Sequence, residues 1–259
     1  VSWEPGRYSR YEEERNRPAL DLIHAVGPGP FRLAVDLGCG PGNSTEALAE
    51  AYRQTEIRAV DSDPAMVQAA RARLPGIAVE QADLSRWTPP EGVDLLFSNA
   101  VFHWLPDHLP LLARFVSTLS PGGVLALQMP DNLSEPTHRL MGETALADPF
   151  AAAFPDGLPA RAPLPAPRDY VDALSAAGAA VTIWRTTYHH RFADASGIVD
   201  FVAGAGLRPY AQAIRERLGD AAHDAYLARY QRAVAEAYPP LADGSVLMAM
   251  PRLFVVGRV

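Results

Sequence analysis

The stretch FRLAVDLGCGPGNSTEALAEAY, residues 31–52, decides the fold. FRLAVDLGCG (31–40) is a short apolar run that reads as a buried strand entering a glycine loop, and Asn43-Ser44 through Tyr52 reads as the helix that follows. Gly38, Gly40 and Gly42 permit a tight turn and let a ligand approach the backbone closely.

The same alternation continues outward. IRAVD (57–61) predicts a second strand, Pro64 to Leu74 a helix, IAVEQAD (77–83) a third strand and VDLLFSNA (93–100) a fourth. HLPLLARFVSTLS (108–120) carries apolar residues at helical spacing, Pro121-Gly122-Gly123 turns the chain, and VLALQMP (124–130) is a fifth strand. Short apolar strands alternating with helices argue a parallel, doubly wound α/β sheet. Upstream, Pro18 suits the first turn of a helix running to about Ala25. After residue 131 the rhythm breaks. Residues 133–168 read as a helix and then a Pro- and Ala-rich loop, 169–178 as a short helix, and AVTIWRTTYHHRF (180–192) as a strand. The pattern over 194–238 is helical with a break at GAGLRPY (204–210). The final strand lies within 245–259, where Pro251 argues for a bulge or an edge. The last strands thus bracket a helical insertion, placed as a lid over the carboxyl ends of the strands, where open α/β sheets bind ligands.

The chain has 259 residues, 48% hydrophobic and 20% charged, ordinary for a globular protein and long enough for one large domain or one domain with an elaborated cap. Its net charge of -7 argues against non-specific nucleic-acid binding. Every basic side chain is Arg, whose planar fork matches carboxylates and phosphates. One cysteine, Cys39, precludes an intrachain disulfide and suits a reducing cytosol. VSWEPGRYSRYEEER at the start is too polar for a signal peptide, and no apolar run approaches the ~18 residues of a membrane span. These features predict a cytoplasmic protein with no membrane partner.

Asp61 follows Gly38 by 23 residues and stands at the end of the second strand, placed for ribose hydroxyls. Two cofactor classes use this geometry. A dinucleotide brings a pyrophosphate and wants free backbone N–H groups at the helix start with no anion nearby. S-adenosylmethionine brings a sulfonium and an ammonium and wants negative charge. Asp36, Asp61 and Asp83 end three successive strands, Pro41 removes one N–H from the loop, and the glycine spacing is G-x-G-x-G rather than G-x-G-x-x-G. All three features favour the cationic cofactor over a nicotinamide oxidoreductase, although each Asp taken alone also suits a cap or turn.

DLGCGPG, Asp61, Ala82-Asp83-Leu84 and Ser98-Asn99-Ala100 together resemble the motifs of the class I S-adenosylmethionine-dependent methyltransferases, over about residues 31–130. ERNRPALDLI (14–23), VFHWLPDH (101–108), LALQMPDNLSEPTH (125–138), WRTTYHH (184–190), GLRPY (206–210) and MPRLF (250–254) are similar to the trans-aconitate 2-methyltransferase family within it. The resemblance implies a Rossmann-like doubly wound seven-stranded sheet with a helical lid before the last strand. It implies an N-terminal helical segment over the cofactor (1–30), a cofactor-binding core (31–132), an insertion (133–168), remaining core elements (169–192 and 245–259) and a helical lid for the acceptor (193–244). The activity it implies is esterification of one carboxylate of trans-aconitate, a small-molecule tricarboxylate, with S-adenosyl-L-methionine as cofactor. Arg15, Asp36, Gly38, Gly40, Asn43, Asp61, Ser62, Met66, Ala82, Asp83, Leu84, Asn99 and Ala100 then fall to the cofactor.

A carboxylate is ionised at pH 7 and needs no general base; holding a tricarboxylate beside an Asp-lined site requires cationic forks. The candidates are Arg7, Arg208, Arg252 and whichever of Arg15 and Arg17 does not serve the cofactor, with Arg15 assigned there first. Tyr8, Tyr11, His103, Trp104 and Gln128 complete the acceptor set, with His103 a hydrogen-bond donor, or a base if the acceptor were a hydroxyl. His189 and His190 are adjacent on a strand and face opposite sides, and no HExxH or zinc spacing occurs, so no metal is expected. No G-x-S-x-G elbow supports a Ser hydrolase.

Overall fold

The computed structural model describes residues 12–105, 107–159, 161–204 and 206–259, with only the backbone for 12–15. Among these residues seven strands form one sheet: β1 (Leu33–Leu37), β2 (Glu56–Asp61), β3 (Ala78–Gln81), β4 (Leu95–Asn99), β5 (Val124–Pro130), β6 (Ala180–Phe192) and β7 (Val246–Arg258). Their order is β3-β2-β1-β4-β5-β7-β6. The first five are parallel, and β7 runs antiparallel to both neighbours. This is the doubly wound sheet the sequence predicts, with its change of winding direction between β1 and β4. β1 and β4 read as almost unbroken apolar runs because both faces are covered.

Helix α1 (Glu12–Val26) lays Ala19, Leu22, Ile23 and Val26 against Ala34, Phe97, Val124 and Phe254 on one face of the sheet. It begins before Pro18, which sits inside it rather than opening it. A proline removes one backbone hydrogen bond, but the buried stripe on the following turns holds the helix, and three Glu precede it where the helix dipole favours acid. Arg258 donates to the carbonyls of Ala25 and Val26 beside the start of β5, so the N-terminal end of α1 rises toward the carboxyl ends of the parallel strands.

Helices α2 (Asn43–Ala51), α3 (Pro64–Arg73), α4 (His108–Val116) and α6 (Pro167–Ala176) flank the sheet, α3 with an Asp63 cap. β3 is shorter than predicted because it is an edge strand whose partner β2 ends at Asp61, opposite Gln81. β7 keeps one unbroken register with β6, from Phe192↔Val246 to Ala180↔Arg258, so Pro251 makes no bulge. It stands where β5 has ended at Pro130↔Arg252, and the missing N–H costs no ladder bond on that side.

The outer ends of β6 and β7 therefore run past β5 as a two-stranded ribbon. On it sits a second core, in which Met248 and Met250 meet α5 (Pro136–Ala145), α7 (Ala195–Ala203), α8 (Arg208–Leu218) and α9 (Asp220–Ala237). Buried tyrosines fasten this cap to α5: Tyr226 donates to Met141 O, Tyr230 donates to Thr137 O, and Tyr238 accepts from Thr137 N. Among the described residues no helix is long and apolar enough to cross a membrane.

Candidate active site

The glycine loop leaves β1 with Gly38, Gly40 and Gly42 all at positive φ. A Cβ on Gly38 would stand 2.4 Å from Val101 Cγ2, so the loop lies directly against the segment after β4. Gly40 N donates to Asp61 Oδ2 at 2.8 Å and Asp63 N to Asp61 Oδ1 at 2.9 Å, which fixes the second-strand acid against the loop. Each oxygen keeps lone pairs for further donors.

Asp36 lies wholly buried behind the loop. Its Oδ2 accepts from Ser44 and Thr45 hydroxyls, both at 2.7 Å, and its Oδ1 has no partner among the described residues. Burial pushes its carboxyl up from 3.8 to about 6, against the pull of those two hydroxyls. Cys39 is buried and burial pushes its thiol up, away from the reactive thiolate form. Asp83, at the end of β3, is exposed and accepts from Ser85 N at 2.9 Å, which holds its carboxyl below the usual value. It caps a turn and offers its charge at the same edge.

β4 ends in Asn99 and then Ala100, whose φ of 61° is costly for a residue with a Cβ. The strain turns the chain into the 3-10 turn Phe102–Trp104 and places His103 and Trp104 at the wall of a cavity of about 190 Å³. Ala100, Pro130 and Arg252 line it from the sheet, and His138, Met141, Phe201, Val202 and Tyr210 from the cap. Asn132, Leu133, Pro159, Arg161, Gly206, Pro209 and Met250 complete the wall, and among the described residues no Asp or Glu lines it.

Two guanidinium groups reach this cavity, Arg252 buried and Arg161 half-buried. Arg252 donates from Nη1 to Gln128 Oε1 at 3.2 Å, and the other end of that amide donates to Asn99 Oδ1. Arg161 donates to Pro130 O at 3.0 Å and to Asn132 Oδ1. Burial pulls its guanidinium down to about 10, still cationic at neutral pH. His103 Nδ1 is buried without a partner among the described residues; burial and the charges of Arg161 and Arg252 hold the ring well below its usual 6.5. His138 is pulled down to about 4 by burial and then by Arg161. Both imidazoles are neutral beside two cations.

A methyltransferase-domain family model matches residues 34–123, the sheet from β1 to the turn before β5. The trans-aconitate 2-methyltransferase of Sinorhizobium fredii is 50% identical over 99% of this chain and 98% of its own. The chain belongs to the trans-aconitate 2-methyltransferase family. The namesake from Methylobacterium radiotolerans is 50% identical over all of this chain and 98% of its own, and that of Agrobacterium fabrum 48% over 99% and 98%. Among solved structures, a putative methyltransferase from Bacillus halodurans aligns with a TM-score of 0.59 at 14% identity, over 93% of this chain and 98% of its own. A phosphoethanolamine N-methyltransferase from Haemonchus contortus, in complex with S-adenosyl-L-methionine, aligns at 0.54 and 15%, over 93% and 52%. These last two likenesses show the fold, the Rossmann-like sheet of the class I enzymes.

In this trans-aconitate 2-methyltransferase family member, Asp36, Gly38, Gly40, Asn43 and Asp61 stand together at the carboxyl edge of β1 and β2. Ser62 and the half-buried Met66 follow on the loop and first turn of α3, and Ala82, Asp83 and buried Leu84 follow β3. His103, Trp104 and Arg252 line the cavity, and Gln128 sits behind Arg252. Arg208 opens α8 and is not among the lining residues; its neighbours Pro209 and Tyr210 are. Arg17 pairs with Asp21 at 2.9 Å on the exposed face of α1, and Asp21 also accepts from Tyr188. Arg15 lies in the first turns of α1. Arg7, Tyr8 and Tyr11 lie outside the described residues. Arg161, Asn132 and His138 escaped the sequence reading of the site: they sit in a loop and a helix whose pattern says nothing of the sheet edge they approach. A lone Arg among prolines (PARAP, 159–163) was the available signal.

Proposed function

We propose that the protein transfers a methyl group from S-adenosyl-L-methionine to one carboxylate of trans-aconitate, giving the monomethyl ester and S-adenosyl-L-homocysteine. One observation carries the reading: two adjoining sites of opposite charge. The strand ends carry Asp61 and Asp83, with Asp36 buried behind the glycine loop, and the cavity beyond Ala100 presents Arg161 and Arg252 with no acid among the described residues. A cationic cofactor and a polyanionic acceptor suit that division. The orphaned Asp36 Oδ1 fits an ammonium, and the open space at Gly40 fits a ligand against the backbone.

The chemistry supplied by that cofactor is a methyl group made electrophilic by its sulfonium. Asp36, Asp61 and Asp83 would hold the cofactor, with Asn99 and Ala100 beside its methionine portion. Arg15 would meet it from α1, whose N-terminal end rises to that edge, and Tyr8 and Tyr11 would serve the acceptor. The acceptor oxygen arrives ionised, so no residue has to remove a proton. What remains for the protein is alignment of the carboxylate and exclusion of water, both worth large factors in rate. Arg252, held by Gln128, and neutral His103 would orient the acceptor. A helical lid (193–244) and a cytoplasmic site of action belong to the same reading; the buried Cys39 thiol suits a reducing compartment.

The test is to incubate the protein with S-adenosyl-L-methionine and a panel of di- and tricarboxylates and to look for methyl esters by mass spectrometry. A monomethyl ester formed preferentially from trans-aconitate is expected. Esterification of another acid in preference would overturn the acceptor; no ester from any acid would overturn the reaction.

A further inference from the structure

We propose that Arg161, carried by the Pro-rich insertion, binds a carboxylate of the acceptor that is not methylated, and so makes the enzyme select polycarboxylates. The proposal rests on the carboxylate-methylating function above and assigns a selectivity residue within it.

Arg161 is a half-buried cation whose two hydrogen-bond partners among the described residues are neutral, the carbonyl of Pro130 and the amide oxygen of Asn132. The neighbouring carboxylate, Asp131, is engaged by Arg185 at 2.6 Å. Among the described residues Arg161 forms no ion pair and no acid lines its cavity; Asp131 supports its charge only at a distance. A buried cation is costly unless an anion meets it. If the side chain only pinned the insertion to the end of β5, a neutral amide would make such contacts without burying charge. The two contacts instead fix the plane of the fork and leave further N–H groups of its five for an anion. Arg252 reaches the same cavity from β7, so two forks from different parts of the chain face one small volume. A monocarboxylate could use its carboxylate for reaction or for a fork, but not both. A tricarboxylate leaves one group for each fork while the third is esterified.

The experiment compares wild type, Arg161→Gln and Arg161→Lys on trans-aconitate and on three dicarboxylates that each lack one of its carboxylates: itaconate, glutaconate and mesaconate. We expect Arg161→Gln to raise KM for trans-aconitate roughly 10- to 100-fold, the range for loss of a charge-assisted bidentate contact. The penalty should fall to less than about threefold for the one dicarboxylate lacking the carboxylate that Arg161 holds, the signature of a coupled pair. Arg161→Lys, which keeps charge without the fork, should lie between. Unchanged affinity for S-adenosyl-L-methionine would show each variant folded. An unchanged KM for trans-aconitate, or one equal penalty on all four acids, would overturn the assignment while leaving the function intact. Should the wild type esterify none of them, the function falls separately. Calorimetric titration with trans-aconitate then decides for Arg161: weaker binding to Arg161→Gln supports it, and equal binding overturns it.

Discussion

Gln128 and Arg252 meet across the boundary between β5 and β7, where Nη1 of the arginine donates to Oε1 of the amide at 3.2 Å and both side chains are buried. The other end of the amide donates to Asn99 at the end of β4. One glutamine thus ties the cation of the acceptor cavity to the strand end beside the cofactor cleft.

Gln128→Glu keeps the shape and places a carboxylate on Arg252. It should raise KM for trans-aconitate at least roughly tenfold, because an internal anion competes for the fork. Steady-state kinetics checks this, and a KM at the wild-type value would remove Arg252 from the acceptor site.

Arg252 and Arg208, both acceptor candidates from the sequence, should separate. Arg252→Ala is expected to cost tenfold or more, on the order of a lost charged hydrogen bond. Arg208→Ala should cost less than about threefold in KM, because Pro209 and Tyr210 stand at the cavity wall in its place. Equal effects would contradict that placement.

Asp36 makes the ligand-free protein less stable as pH rises. Its folded pKa of about 6 lies above the unfolded 3.8, so the folded state holds its proton longer, and stability falls as pH climbs between those values. The ceiling on this loss is about 3 kcal/mol, at 1.36 kcal/mol per pKa unit. Asp36→Asn should therefore melt higher than wild type at pH 8, converge with it at pH 4, and bind S-adenosyl-L-methionine more weakly. A melting temperature at pH 8 below that of wild type would contradict the burial argument.

Two glycine substitutions should part company. Gly38→Ala meets Val101 at 2.4 Å at a φ of 74°, and should destabilise by about 3 kcal/mol or more, combining overpacking with left-handed strain. Gly40→Ala meets nothing within 4 Å at a φ of 55° and should lose only about 1 kcal/mol while weakening cofactor binding. Thermal denaturation ranks the pair; the reverse order would mean the loop does not lie against Val101 as described.

His103 is neutral because burial and two arginines oppose its protonation. His103→Gln, still a donor, should retain kcat within about tenfold, whereas loss of a general base costs 10²–10⁴. The kcat profile of the wild type should show no inflection near pH 6.5. A loss of a hundredfold or more would make the imidazole a base, and the acceptor a hydroxyl.

The sheet was legible where the signal is local. Asp36, Asp61 and the three glycines announce a strand end, a tight loop and a second strand end within 30 residues, and the register of β1 with β2 places them together. Burial on both faces wrote β1, β4 and β5 as apolar runs. Features set by distant partners were not legible. Pro251 reads as a bulge or an edge, and only the end of β5 at Pro130 decides for the edge. Pro18 reads as a helix start until the buried stripe of α1 is seen against the sheet. Arg161 and Asn132 meet only because a loop of the insertion folds back on the end of β5.

The ribbon formed by β6 and β7 bears on how such an enzyme can change. Phe192 and Val246 are paired residues, so the two strands are arms of one hairpin whose turn has been replaced by three helices. Whatever excursion occupies that turn leaves and returns at a single rung of the ladder. Exchanging it alters neither the register of the sheet nor the seat of Arg252 further along the same strand. The helical side of the acceptor cavity is in this sense a graft, set at one rung on a stock that keeps His103, Asn132, His138 and Arg161 in place.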